Sequence, residues 1–241
     1  MRVAVLSDIH ANLVALDAVL ADAGPVDAVW HLGDVVGYGP EPDAVVDRLI
    51  GVGAVGVTGN HDRAAAGGDE IDWFNPDARA AMEWTRARIS SGTADWLRAL
   101  PERRTEHDIG LVHGSPRDPI WEYILTPSDA KANLAELTTR VGLFGHTHLP
   151  VQWTATDGRV RGFEPGRLST ASFAGPARAL LNPGSVGQPR DGDRRSGWLE
   201  LDLDAEAAHW HRVEYDVAAV QAGMREAGLP IRLIDRLSHG L

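Results

Sequence analysis

Two histidines, His146 and His148, lie two residues apart and directly after an apolar run. Imidazole nitrogen is a common ligand for divalent metals, so the pair is a candidate metal site. The chain holds a second pair with the same spacing, His209 and His211, inside a predicted strand and away from other polar clusters. We interpret this second pair as surface histidines. Position at the end of a strand, rather than spacing, therefore marks the first pair.

Polar clusters also follow four other short apolar runs. These clusters contain Asp8 and His10, then Asp34, then Asn60, His61 and Asp62, and finally His113. The five runs, residues 3–6, 28–32, 54–57, 109–112 and 141–144, have the length of buried strands. Ligands of open α/β sheets collect beyond the carboxyl ends of the strands. We therefore expect all five clusters to meet at one site.

The combined set offers imidazole nitrogen and carboxylate or amide oxygen but no sulfur, since the chain has no Cys. Such donors suit Mn, Fe, Zn, Co or Ni better than Mg or Ca. Even without Asp62, the eight polar groups of this set are too many for one ion. Two ions that share a carboxylate, roughly 3.5–4 Å apart, are a familiar arrangement for in-line displacement at phosphorus. The residues thus favour two metals over one.

Helical periodicity separates the first runs, and short strand-like segments follow them. The predicted helices are 13–23, 43–50 and 77–89, and the later strands are 151–155, 159–163, 179–181, 198–203 and 208–215. Residues 217–239 read as one or two helices broken near 228–230. This order predicts an α/β layered fold whose second half extends or covers the sheet. No linker is evident, so we expect one domain, 1–241, with 217–239 packed on it.

Composition narrows the function classes. The chain has 241 residues, 44% hydrophobic and 24% charged, with a formal net charge of −11. This acidity argues against non-specific binding to long nucleic acids, although bound cations would still attract a phosphate substrate. The apolar run at 1–6 is too short for a signal peptide, and no run has the length of a membrane span. We predict a cytoplasmic protein with no membrane partner; the sequence gives no indication of oligomeric state.

The motifs, taken in order, resemble those of the calcineurin-like metallophosphoesterase family. The family pattern D-x-H, G-D, G-N-H-D/E, a lone H and G-H-x-H corresponds to Asp8-Ile9-His10, Gly33-Asp34, Gly59-Asn60-His61-Asp62, His113 and Gly145-His146-Thr147-His148. Singly these motifs are weak or moderate signals, but five in order are a strong one. The resemblance implies a layered αββα sandwich of two mixed β-sheets flanked by helices, with the metal site at the C-terminal ends of the strands.

The resemblance also implies a role for each residue. Asp8, His10 and His148 would hold the first metal, Asn60, His113 and His146 the second, and Asp34 would bridge them. A hydroxide between the metals would attack phosphorus, because two cations lower its pKa. His61 would act as general acid, with Asp62 helping to orient it. The cofactors would be two divalent transition-metal ions, with Mn expected first and Fe, Zn, Ni or Co as alternatives.

One departure from the family pattern narrows the branch. Protein phosphatases of the family carry G-D-x-x-D-R-G, whereas residues 33–39 here lack the second Asp. The doubled histidine of the last motif is typical of phosphodiesterases and nucleases, and the short chain with its opening at 8–12 looks most like the small bacterial phosphoesterases. Asn12 would then either contact substrate or cap the following helix.

Other side chains have two readings each. Arg63 and Arg117 could hold a substrate phosphate by a bidentate contact or form surface salt bridges. Four aromatic residues, Trp73, Phe74, Trp121 and Tyr123, could wall the site, although ordinary core is favoured. We interpret His31 as a hydrogen-bonded core residue, and His107 and His239 as surface residues. The loop 182–187 also ends an apolar run and could approach the site.

These observations predict a dinuclear metal-dependent phosphoesterase that acts on small phosphate esters, with diesters preferred because His61 and His148 occur together. One alternative is a scaffold of the same fold that binds protein partners without turnover. Such a scaffold would be expected to lack the general acid or several metal ligands, and all of these residues are present here. Another is a nuclease acting on short nucleic acids.

Overall fold

The computed structural model describes residues 1–166 and 169–241. In these ranges the chain forms twelve strands and eight α-helices. The strands are β1 (Arg2–Leu6), β2 (Ala28–His31), β3 (Val55–Gly56), β4 (Arg103–Glu106), β5 (Ile109–Val112), β6 (Val141–Leu143), β7 (Val151–Thr156), β8 (Arg159–Phe163), β9 (Ser169–Ser172), β10 (Arg178–Asn182), β11 (Ser196–Asp202) and β12 (Ala207–Val213). The helices are α1 (Leu13–Ala23), α2 (Pro42–Gly51), α3 (Asn60–Ala65), α4 (Pro76–Arg86), α5 (Ser91–Ala99), α6 (Pro127–Glu136), α7 (Val217–Glu226) and α8 (Ile231–Arg236), with a 3-10 helix at Asp69–Trp73.

The strands form two mixed sheets of six. The first has the order β3-β2-β1-β11-β12-β9 and the second β4-β5-β6-β10-β7-β8. Strands β1, β2 and β3 pair in parallel, as do β5, β6 and β10, whereas the remaining pairs are antiparallel. Two mixed sheets flanked by helices confirm the predicted fold class. The second sheet is not built from the second half alone, because β4, β5 and β6 belong to it.

Both faces of the central strands are buried. Along β1, Val3 and Val5 point into an apolar layer shared with Leu143 of the second sheet, and Ala4 and Leu6 point into another layer. That other layer contains buried residues of α1 and α2. Burial on both faces explains why these strands read as continuous apolar runs rather than as alternating patterns.

The predicted helix boundaries agree closely in two parts of the chain. Helix α1 has the predicted bounds, and the C-terminal segment forms two helices with Gly228 between them. Helix α6 was not predicted, since its buried residues are only Ala130, Asn133 and Leu134. Helix α3 was not predicted either, because it begins inside the third polar cluster.

His31 lies in the core, as predicted, but without the expected hydrogen bond. Its ring is buried against Trp96, with centroids 5.6 Å apart. Neither ring nitrogen has a hydrogen-bond partner within the described ranges. Burial lowers the pKa of His31 to about 3, so the imidazole stays neutral in the folded protein. His107 and His239 are exposed, as expected. None of the helices in residues 1–166 and 169–241 is both long and apolar enough to cross a membrane.

Candidate metal centre

The polar clusters that follow β1, β2, β3, β5 and β6 meet at the carboxyl ends of these strands. Three of these strands belong to the first sheet and two to the second. All of the predicted ligands are buried, with no more than 4% of any residue exposed: Asp8, His10, Asp34, Asn60, His113, His146 and His148. The structure thus brings together residues that are spread over 140 positions of the sequence.

Backbone hydrogen bonds join the loops that carry these residues. The N–H of His10 donates to the carbonyl of Asp34 (2.9 Å), and that of Gly145 to the carbonyl of His113 (2.8 Å). A Cβ atom on Gly145 would lie 2.0 Å from the Ser7 hydroxyl and 3.0 Å from a carboxylate oxygen of Asp8. Only glycine therefore lets the last motif approach the first this closely.

The backbone is left-handed at most of the predicted ligands. The φ angles are 52° at Asp8 and His10, 51° at Asp34, 63° at His146 and 60° at His148. This conformation costs a non-glycine residue roughly 1–2 kcal/mol. Such strain persists only where neighbouring contacts enforce it, and it gathers at functional sites. Five occurrences in one cluster indicate that ligand geometry, rather than stability, governs these loops.

A first set of donor atoms surrounds one point. The Asp8 Oδ1 and His148 Nε2 atoms are 3.2 Å apart, and His148 Nε2 is also 3.2 Å from His10 Nε2. Atoms that share an ion at about 2.1 Å lie about 3.0–3.4 Å from one another. Asp8 Oδ2 accepts hydrogen bonds from the Ser7 hydroxyl and the His146 N–H, whereas Oδ1 accepts none from the described residues. The third pair, Asp8 Oδ1 and His10 Nε2, is wider at 4.0 Å, but the two shorter distances and the free oxygen suit a cation.

The Nδ1 atoms of His10 and His148 face backbone carbonyls, and these contacts show where the lone pairs of the two rings point. His148 Nδ1 lies 2.6 Å from the carbonyl of Gln188, and His10 Nδ1 lies 3.3 Å from that of Val36. A carbonyl only accepts, so each Nδ1 carries the proton and each Nε2 of a neutral ring is a bare acceptor. Two acceptors facing each other at 3.2 Å form no hydrogen bond. A shared metal ion would stabilise this pair, and ligand histidines commonly make such outer bonds.

A second set of donor atoms has the same character. His113 Nε2 lies 3.0 Å from His146 Nδ1 and 3.1 Å from the side-chain oxygen of Asn60. His113 Nδ1 donates to the carbonyl of Leu32 at 2.8 Å, so its Nε2 is also a lone-pair donor to a metal. One oxygen and two nitrogen atoms thus converge in this second set as well.

Asp34 lies between the two sets. Its Oδ2 is 3.4 Å from His113 Nε2 in the second set and 3.8 Å from His10 Nε2 in the first. Its other oxygen, Oδ1, accepts the backbone N–H of His61 at 2.9 Å, which fixes the orientation of the carboxylate. One oxygen therefore faces both groups of donors.

Burial controls the protonation of the site. It lowers the pKa of His10, His146 and His148 well below the ordinary value, so these rings are neutral and able to bind a metal. Burial also raises the pKa of Asp8 to about 7 and that of Asp34 well above its usual value. A bound cation would favour the ionised carboxylates and so offset the cost of burying them.

His61 lies beside the first set of donor atoms, and its ring contacts three other rings. Its ring centroid is 4.4 Å from that of Tyr38, 4.6 Å from Phe74 and 4.8 Å from His10. Its Nδ1 is buried without a hydrogen-bond partner in the described part of the chain. Burial, followed by the charge of Arg190, lowers the pKa of His61 well below its ordinary value.

Asp62 has backbone partners instead of the predicted contact with His61. Its Oδ1 accepts the N–H groups of Val35 (2.8 Å) and Val36 (3.1 Å), and its Oδ2 accepts that of Gly59 (3.0 Å). The carboxylate therefore ties the loop after β2 to the start of α3. This geometry makes Asp62 a positioning residue for the loops of Asp34 and His61.

The three predicted substrate contacts are occupied by other partners. Arg63 forms ion pairs with Glu70 and Glu102, and Arg117 pairs with Glu122 at 3.5 Å on the surface. Asn12 is buried, and its Oδ1 caps α1 by accepting the N–H of Ala15 at 3.0 Å. These contacts favour the salt-bridge and helix-cap interpretations over substrate binding for the three residues.

Three aromatic rings, those of Trp73, Trp121 and Tyr123, border the site instead of lying in the core, whereas Phe74 packs against the core as favoured by the sequence. Trp73 is 70% exposed and packs on Trp121, with centroids 5.1 Å apart. Trp121 in turn contacts Phe74 (5.7 Å). On the other side, Tyr123 is 46% exposed and stacks on His146 at 3.9 Å. An open aromatic surface thus runs from beside His61 to His146.

The loop after β10 contributes residues that the sequence analysis did not identify as site residues. Gln188 is buried and its carbonyl accepts the proton of His148 Nδ1, and the Arg190 side chain bonds to the Gln188 amide oxygen at 2.8 Å. The apolar run ending at Asn182 was the available signal. The prediction that 182–187 could approach the site stopped three residues short of Arg190.

The second histidine pair takes no part in the cluster. His209 lies on β12, where its Nδ1 is 2.9 Å from the Thr170 hydroxyl, and His211 stacks on Trp198 at 4.2 Å. In residues 1–166 and 169–241, the groups of three or more metal-ligating side chains draw only on Asp8, His10, Asp34, His61, His113, His146 and His148.

Comparisons with known proteins agree with this geometry. Residues 1–206 match the sequence profile of the calcineurin-like phosphoesterase superfamily domain. A metallophosphoesterase from Sphaerobacter thermophilus has 43% sequence identity and a TM-score of 0.92, with 100% of both chains covered. An uncharacterized protein from Methanocaldococcus jannaschii is 33% identical over 246 residues, which cover 99% of this chain and 98% of that protein.

A hypothetical protein from Pyrococcus horikoshii OT3 shares the fold at 22% identity, with a TM-score of 0.82 over 100% of this chain and 98% of that one. The sequence match, the fold and the cluster of buried His and Asp residues lead to one conclusion. The chain belongs to the calcineurin-like phosphoesterase superfamily, a metal-dependent family of phosphoric ester hydrolases.

Proposed function

We propose that the protein is a dinuclear metal-dependent phosphoesterase that prefers phosphodiesters to monoesters. The observation that carries the proposal is the position of Asp34 Oδ2, which faces His10 Nε2 at 3.8 Å and His113 Nε2 at 3.4 Å. A single ion would leave one of the two donor sets unused and buried. Two ions sharing Asp34 would use both.

The proposed ligands follow from the two donor sets. Asp8, His10 and His148 would hold the first ion, and Asn60, His113 and His146 the second, with Asp34 shared. Mn is our first choice, and Fe, Zn, Ni or Co would suit the same donors. The bound ions would supply Lewis-acid polarisation of the phosphoryl group and lower the pKa of the attacking water.

His61 is the proposed general acid for the leaving group. Its ring adjoins His10 but is not needed to complete either donor set, and it faces Tyr38 and Phe74. A neutral imidazole carries a single proton. If that proton is on Nδ1, Nε2 has none to give to the leaving group, so His61 must become protonated when substrate binds. The negative charge of a phosphoryl group would raise the pKa of His61 and so oppose the effect of burial.

The aromatic surface supports an ester with a planar group on the leaving side. Phe74 joins His61 to the pair formed by Trp121 and the exposed Trp73. A leaving group protonated by His61 would pass this surface, and stacking is open to nucleobase or aryl rings alike. A small nucleotide-like diester fits these features, and it also fits the acidic net charge, which disfavours long nucleic acids.

Hydrolysis assays test the proposal. Purified protein would be stripped with a chelator, reloaded with Mn²⁺, and assayed against bis-aryl and mono-aryl phosphates beside an Asp34→Asn variant. We expect metal-dependent hydrolysis, faster for the diester, and a large loss in the variant. The surface variant Arg117→Gln is the matched control and should retain activity. Absence of hydrolysis by the reloaded wild type would reject the proposal.

A further inference from the structure

Arg190 lies in a loop that is fixed against two of the metal-binding motifs. The N–H of Gly187 donates to the carbonyl of Asp8 (3.0 Å), and the Ser185 hydroxyl donates to the same carbonyl (2.8 Å). The carbonyl of Gln188 accepts from His148 Nδ1 (2.6 Å). The backbone that carries Arg190 is therefore held at the centre by three bonds.

The guanidinium of Arg190 is only partly satisfied by the protein. One nitrogen, Nη2, donates to the Gln188 side chain, and Nε is buried without a hydrogen-bond partner in the described structure. Two neighbouring arginines have carboxylate partners: Arg195 pairs with Asp193 and Arg212 with Asp191. Among the ion pairs of residues 1–166 and 169–241, none involves Arg190.

The charge of Arg190 acts on the whole donor cluster. Burial is the main cause of the lowered pKa of His61 and His148, and the positive charge of Arg190 is the second cause for both. The same charge opposes the effect of burial on the pKa of Asp8 and Asp34. The side chain of Arg190 also reaches the hydroxyl of Tyr38, and the Tyr38 ring lies 4.6 Å from that of His10 and 4.4 Å from that of His61.

A guanidinium that has no carboxylate partner and lies beside a cation-binding centre is electrostatically unfavourable unless an anion lies between the two positive charges. Its planar fork of N–H donors matches two phosphate oxygens, which explains a preference for Arg at such a position. We infer that Arg190 is a substrate-binding residue that holds non-bridging oxygens of the scissile phosphoryl group. This inference rests on the proposed function, and it assigns to Arg190 the contact that the sequence suggested for Arg63 and Arg117.

Calorimetric binding of inorganic phosphate to the Mn-loaded protein tests the inference without turnover. Arg190→Gln should weaken phosphate binding by about 10- to 100-fold, the range expected for a lost charge-assisted contact, and Arg190→Lys should restore part of it. Bound metal per chain and Tm should stay at wild-type values. Arg117→Gln, which removes an exposed arginine of similar chemistry, should bind phosphate as the wild type does.

The outcomes separate this inference from the proposed function. The inference would be overturned if Arg190→Gln bound phosphate as tightly as the wild type. It would also be overturned if the metal-loaded wild type bound no phosphate. Loss of metal from Arg190→Gln would also overturn it, because Arg190 would then only position His148 through Gln188. Weakened phosphate binding in Arg190→Gln, combined with no hydrolysis of any ester by the wild type, would support the Arg190 contact and reject the enzyme.

Discussion

Replacing His146 or His148 by Ala should remove different metal ions. The two histidines are neighbours in sequence, yet His148 Nε2 faces Asp8 and His10, and His146 Nδ1 faces His113. Each proposed ion has four protein ligands, counting Asp34 for both. Structural zinc sites with four ligands bind with about 10–16 kcal/mol, or about 2.5–4 kcal/mol per ligand. Each substitution should therefore weaken one ion by about 10²- to 10³-fold.

Competition with a metal-binding indicator dye measures both affinities. The metal-free wild type should show two binding steps, and each variant should retain one step while the other moves to higher metal concentration. His209→Ala is the control, since His209 has the spacing of the site pair but lies on β12 beside Thr170. Equal weakening of both steps by either site variant would refute the division of the pair between two ions.

Three further predictions concern the acid, the core and the aromatic surface. His61→Ala should slow hydrolysis of alkyl esters by about 10²- to 10⁴-fold but affect aryl esters far less, since good leaving groups need no proton; equal slowing of both would remove His61 as the acid. The pKa of His31 is about 3 in the folded protein and 6.5 in the unfolded chain. The contribution of the buried neutral ring to the free energy of unfolding is therefore complete above pH 6.5 and is lost as pH falls towards 3. Its contribution to the free energy of unfolding should fall by about 2 kcal/mol between pH 7 and pH 5, and urea unfolding of His31→Leu should show a pH dependence smaller by that amount. Trp73→Ala should raise KM for bis-aryl phosphates and leave KM for dimethyl phosphate unchanged, whereas equal effects on both would exclude stacking on Trp73.

The sequence was sufficient for the fold class and for the convergence of the candidate ligands. Short apolar runs that end in polar clusters predict buried strands, and strand ends in layered α/β folds meet at one edge. Residues from Asp8 to His148 therefore lie together, as expected. The separation of His209 from the cluster was also predictable, because that residue lies within its strand rather than at the end.

Contacts between distant segments were not predictable from local patterns. Arg63 follows a motif directly but pairs with Glu70 and Glu102, while Arg190 lies far from every motif in sequence. Spacing alone does not reveal which carboxylates reach an arginine. The left-handed backbone at Asp8 and Asp34 is likewise not readable from local patterns, because Asp tolerates this conformation but the contacts of neighbouring loops decide where it occurs. A single domain and a cytoplasmic location stay predictions.

Titration of the metal-free protein with Mn²⁺ tests the central claim most directly. Bound metal and hydrolysis of a bis-aryl phosphate would be measured in the same samples. We predict two bound ions per chain and activity that appears as the second ion binds, because one oxygen of Asp34 faces both donor sets. Full activity with one ion per chain, or no hydrolysis with two, would contradict a dinuclear phosphoesterase.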